Sequence, residues 1–134
     1  MRRKDLVGPG REPPVVLVKW YDLTRWILEK IDSFPKNQRF IFGTRLADHA
    51  LEVMELLVEA AYSRRKTELL SDANRKLEML RWLMRLAKDR QVLTEKQYLF
   101  ACQGLAECGR MVGGWLKQAS GKDGISHATA QATL

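Results

Sequence analysis

The chain has 134 residues, with 23 Lys or Arg against 16 Asp or Glu, a formal charge of +7 and a pI near 9.7. One domain fits that length, and 46% apolar with 29% charged side chains excludes a disordered or fibrous polymer. Two cysteines are too few for a disulfide scaffold, charges break every apolar run before it could span a membrane, and Met1-Arg2-Arg3-Lys4-Asp5 leads into no secretory apolar stretch.

Prolines stand only at positions 9, 13, 14 and 35, so ring geometry forbids helix nowhere after Lys36. Residues 1–15, with three of those prolines and several bases, bury too little apolar surface to offset ordering and read as a flexible basic arm. The first helix is expected over about Val16–Ser33, with Trp20, Leu23, Ile27, Ile31 and Phe34 on one side. Ser33-Phe34-Pro35 turns the chain, because the residue before proline avoids helix while proline suits a first turn. A second helix, loosened near Gly43, runs to about Arg65 on the stripe Leu46, Ala50, Val53, Leu57 and Ala60. The third covers about Leu69–Arg90. The fourth opens at Thr94-Glu95-Lys96-Gln97, which has capping-box spacing, and continues to about Gln118 on Ala101, Leu105, Cys108, Val112 and Trp115. Residues 119–134 are small and polar and read as a flexible tail. Short connections make successive helices antiparallel, so residues 16–118 are expected to form an all-α, up-down four-helix bundle. Cys102 and Cys108, six apart on one helix, cannot bridge each other and read as reduced thiols of a cytoplasmic protein.

The third helix is apolar on more of its circumference than one core requires: Leu77, Met79, Leu80, Trp82, Leu83, Met84, Leu86 and Ala87. Either a second subunit covers part of it, or Trp82 and Met79 fill a wide core. Its wet strip is the row Asn74, Glu78, Arg81, Arg85 and Lys88. Gly109 and Gly113 stand four apart on the fourth helix, a spacing that permits close helix contact, while Gly113-Gly114 equally suits a kink. Met79, Trp82, Leu83, Leu86, Gly109 and Gly113 are therefore the candidate oligomer interface.

Charge is uneven. Residues 46–63 hold Asp48, Glu52, Glu55 and Glu59 and no Lys or Arg, whereas bases crowd the third helix and the first turn. A row of like charge opposes folding by self-repulsion, so Arg81, Arg85 and Lys88 suit an anionic partner such as nucleic acid. Lys36, Arg39, Arg45 and the Arg64-Arg65-Lys66 cluster extend that ground. The same row equally suits a solvated face paired to the acids of the second helix.

Catalytic patterns are missing. Glu29-x-x-Asp32 and Glu52-x-x-Glu55 have the spacing of bundle metal carboxylates, but Glu29 and Glu52 lie about 200° from the core positions Ile27 and Ala50. They read as solvated. A magnesium-dependent nucleotide hydrolase using those four groups is a competing class. His49 and His127 are the only histidines and join no cysteine cluster, so no metal and no cofactor are expected. No phosphate loop, zinc-protease helix or nucleophile elbow occurs, and the chain is expected not to be an enzyme.

Met79-Leu80-Arg81-Trp82-Leu83-Met84-Arg85-Leu86-Ala87, followed by Ala106-Glu107-Cys108-Gly109-Arg110-Met111-Val112-Gly113-Gly114-Trp115-Leu116, resembles the accessory variability determinant (Avd) proteins of diversity-generating retroelements. The Ser33-Phe34-Pro35-Lys36 turn is similar as well, and the likeness covers about residues 16–118. The resemblance implies a four-helix bundle assembled as a homopentameric ring and lacking catalysis of its own. It implies two partners, a reverse transcriptase and nucleic acid: the template RNA, and the DNA copied from it with errors at adenines. The family's arginine pair falls on Arg81 and Arg85, its turn base on Lys36 and its fourth-helix arginine on Arg110; no counterpart of the basic arm carries over. The related four-helix proteins of ribosomal RNA intervening sequences are the alternative within this class. A plain adaptor oligomer is the alternative outside it. No membrane and no small-molecule substrate are expected.

Overall fold

The computed structural model describes residues 12–132, with side chains through residue 121. Up to residue 11 the expected arm lies outside the described residues. Helix α1 (Val15–Asp32) starts behind Pro14, whose carbonyl accepts from the Leu17 amide at 3.0 Å. It ends at Ser33, and Phe34 folds inward to the core. Pro35 opens α2 (Lys36–Gln38), a π-helical turn spans Arg39–Gly43, and α3 (Thr44–Tyr62) continues without a break. The loosening expected near Gly43 is that π turn. Gly43 permits it, since a Cβ there would stand 2.8 Å from Ile31 Cγ2.

Helix α4 (Lys66–Asp89) begins where the Lys66 ammonium bonds the Ala60 and Ser63 carbonyls at 2.6 and 2.8 Å, closing the open end of α3. Gln91 ends α4 with a left-handed φ of 62°: its amide bonds the Lys88 carbonyl at 2.9 Å, and that of Val92 bonds Ala87 at 2.8 Å. The expected capping box opens α5 (Glu95–Ala132). The Gln97 amide donates to Thr94 Oγ1 at 3.1 Å, and Gln97 Oε1 accepts from the Thr94 amide at 3.0 Å. Helix α5 passes Gln118 and reaches Ala132, and no proline stands in that stretch to stop it.

Four helical rods result, and no strand occurs among the described residues. Helix α1 packs on α3, α3 on α4, α4 on α5, and α5 back on α1, giving the antiparallel four-helix bundle. Its core holds Trp20, Leu23, Ile27, Leu46, Val53, Leu57, Leu70, Leu80, Met84, Leu105 and Val112, all buried. The Trp20 indole donates to the Ala50 carbonyl at 2.9 Å, so the largest core side chain buries no unpaired N–H. Where α1 meets α5, a Cβ on Gly104 would lie 2.9 and 3.0 Å from the two methyls of Leu23. That is the close glycine contact of α5. At Gly113 nothing stands within 4 Å of such a Cβ, and at Gly109 only an Arg81 guanidinium nitrogen at 4.0 Å, so neither glycine serves helix contact inside the protomer.

Candidate nucleic-acid and subunit interfaces

Helix α4 presents three faces. Leu70, Ala73, Leu77, Leu80, Met84 and Ala87 are buried. Almost opposite them, Met79, Trp82 and Leu86 form a ridge along the outside at spacings of three and four, with exposures of 49, 63 and 48%. Trp82 and Met79 therefore do not fill a wide core. Leu83, between the ridge and the bundle, is half-buried against the core. About 120° around the helix from the ridge lies the exposed row Arg81 and Arg85, continued by Lys88, which is half-buried.

The basic row runs along the boundary of α4 with α5. Asn74, Glu78 and Arg81 face Ala106, Gly109 and Arg110 across a groove of about 280 Å³. Two guanidinium groups thus share one groove above a residue without a side chain. The arrangement matches what a chain of phosphates needs: fork-shaped donors and room for close approach. The carboxylates nearby leave the arginines largely free. Arg81 approaches Glu78 only to 3.9 Å and Arg85 approaches Asp89 only to 4.0 Å, and such exposed pairs are worth well under about 1 kcal/mol. Lys88 caps the row, its ammonium 5.1 Å from the Tyr98 ring centroid on α5. Glu107, beside Arg110 in sequence, is held by Lys19 of α1 at 2.5 Å, and that hydrogen bond with its charge pulls the Glu107 carboxyl below the ordinary range.

Lys36, Arg39 and Arg45 are exposed at the end of the bundle where α1 turns into α3, on a segment that packs chiefly against α1 and α3. None of them lines the groove of Arg81 and Arg110. The bases fall into two groups, one along α4 and α5, one at the bundle end. Two members of the Arg64-Arg65-Lys66 cluster are otherwise engaged: Arg65 pairs with Glu68, and Lys66 closes α3, while Arg64 is exposed. On α3, Glu52 accepts from Lys76 of α4 at 2.7 Å, which lowers its pKa, while Asp48, Glu55 and Glu59 stay exposed. Glu29 and Asp32 also face solvent, and no group of three metal-ligating side chains occurs among the described residues. No helix among them is long and apolar enough to cross a membrane.

Phe40 escapes sequence reasoning. In the apolar triplet Phe40-Ile41-Phe42, the π turn buries Phe42 and leaves Phe40 84% and Ile41 59% exposed. The available signal was that no helix can point three consecutive residues into one core. A second outward patch lies on α1 and α5, where Leu99 and Phe100 are half-exposed and the Phe100 ring packs 4.8 Å from that of Trp26.

A family model described as bAvd-like matches residues 15–119, from the first residue of α1 through the part of α5 that packs in the bundle. No curated protein matches the chain.

Proposed function

The chain belongs to the bAvd-like family, the accessory variability determinant proteins, and from that premise we propose that it is a non-catalytic accessory protein of a diversity-generating retroelement. It assembles as a homo-oligomeric ring, a pentamer in this reading, and holds the reverse transcriptase together with template RNA and its DNA copy. The observation that carries the proposal is α4 itself, which turns an apolar ridge and a largely unneutralised basic row to solvent on different outward faces. An exposed ridge of this kind suits another subunit, and a basic row suits a polyanion.

A closed ring needs two different surfaces on each protomer. Met79, Trp82 and Leu86 on α4 supply one, and Trp26, Leu99 and Phe100 on α1 and α5 supply the other. Gly109 and Gly113, unexplained by packing inside the protomer, leave space for close approach from outside. Arg81, Arg85, Lys88 and Arg110 bind the polyanion, and Lys36, Arg39 and Arg45 provide a second contact region.

Changing Arg81 and Arg85 together to Glu tests the reading. The double variant should keep the sedimentation coefficient of the wild-type oligomer and lose capture of the polymerase and of template RNA. Undiminished capture of both would overturn the assignment of this surface.

A further inference from the structure

Phe40 is the most exposed large apolar side chain among the described residues. The π turn of Arg39–Gly43 aims it outward. That turn carries an i to i−5 bond from the Thr44 amide to the Arg39 carbonyl and depends on a glycine pressed against Ile31. Such turns weaken a helix and recur at functional sites. In the segment that carries the ring, the charge has one sign. Lys36 stands one turn before Phe40, Arg39 precedes it, Arg45 lies one turn beyond Ile41, and no carboxylate occurs between Asp32 and Asp48. Lys36, Arg39 and Arg45 are all exposed.

We infer that Phe40 is a stacking platform for an unpaired nucleobase, with Lys36, Arg39 and Arg45 holding the flanking phosphates of single-stranded RNA. A single strand satisfies both features together, because every base offers a π face and every linkage a charge. A duplex hides its bases and would meet only the cations. A protein partner would cover the ring but would need its own carboxylates to match three bases. The inference rests on the nucleic-acid reading of the family surface and adds a residue and a strandedness to it.

The test uses the full chain and fluorescence anisotropy with a labelled single-stranded RNA and the same sequence annealed to its complement. Phe40→Ala should weaken single-strand binding about 5- to 150-fold, the equivalent of about 1–3 kcal/mol of stacking. Duplex binding should stay within about twofold, and the dependence of log affinity on log salt should keep its slope, since no charge is removed. Phe40→Trp should restore the single-strand affinity. The inference is overturned if Phe40→Ala leaves single-strand affinity unchanged or weakens both ligands equally. It is also overturned if the variant alters only sedimentation or only polymerase capture, which would make the ring a contact for another protein. Loss of RNA in Arg81→Glu/Arg85→Glu with none in Phe40→Ala removes this inference and leaves the proposed function standing; no RNA binding by the wild type removes both.

Discussion

Two glycines of α5 should respond with opposite sign to the same change. At Gly113 the backbone is helical, φ is not positive and a Cβ would meet nothing within 4 Å, so Gly113→Ala adds helix propensity without a clash. The gain for a helix interior is about 0.5–1 kcal/mol. At Gly104 the added Cβ would lie 2.9 Å from a methyl of Leu23, itself buried between α1 and α5. Forcing a methyl into a packed core costs about 1–3 kcal/mol, which outweighs the same propensity gain and leaves a net loss of up to about 2 kcal/mol. Urea unfolding followed by far-UV circular dichroism, repeated over a hundredfold range of protein concentration, separates protomer stability from association. Gly113→Ala should raise the extrapolated stability at the lowest concentration, and Gly104→Ala should lower it. If Gly104→Ala stabilised as much as Gly113→Ala, the contact between α1 and α5 would not be as close as described. If Gly113→Ala destabilised the dilute protomer, the open space beside it would be absent.

Gln91 holds a φ of 62° that glycine adopts at no steric cost, so Gln91→Gly should stabilise by about 1 kcal/mol and raise the thermal midpoint by several degrees, whereas Gln91→Ala should not; equal midpoints for all three chains would count against a strained helix stop. Glu52 and Glu107 both titrate below the ordinary carboxylate value of 4.5 because Lys76 and Lys19 hydrogen-bond to them. Their contribution is present above that value and is lost as pH falls through the depressed folded values, so Glu52→Gln/Glu107→Gln should flatten the fall in stability below about pH 4.5; an unchanged acid limb in urea titrations would contradict it. Burial pushes the Cys108 thiol up to about 11, so iodoacetamide at neutral pH should label half-exposed Cys102 first, and mass spectrometry finding Cys108 labelled in the folded chain would refute this packing.

What the amino-acid order revealed, and what it concealed, follows from the range of the forces involved. The stripes of α3 and α5 were legible because burial selects one side of a helix: Leu46, Ala50, Val53, Leu57 and Ala60 recur at the period, and all are buried. The Thr94 and Gln97 cap was legible because both partners lie within one turn. The outward π turn was not, since it depends on Gly43 meeting Ile31 from another helix, a contact between segments that no local pattern encodes. Lys66 was read as part of a basic cluster, yet its ammonium closes α3, because carbonyls left open at a helix end compete for nearby cations and the sequence does not show which cation reaches them. Arg81 and Arg110 share a groove only because α4 and α5 are antiparallel and in register there; the motif named both residues without saying that they face each other.

The placement of those faces bears on how the proposed activities coexist. A protomer that used its basic row for both subunit contact and RNA would lose one when it gained the other. On α4 the ridge of Met79, Trp82 and Leu86 and the row of Arg81, Arg85 and Lys88 are centred about a third of a turn apart, so apolar burial and polyanion binding draw on different atoms. Trp82 and Arg85 are neighbours at that border, three residues apart. Covering Trp82 with another subunit would exclude water from one side of Arg85 and strengthen its attraction for a phosphate on the other. Assembly would then raise the affinity of each protomer for polyanion, and binding would favour assembly by the same factor, since coupling free energies are reciprocal.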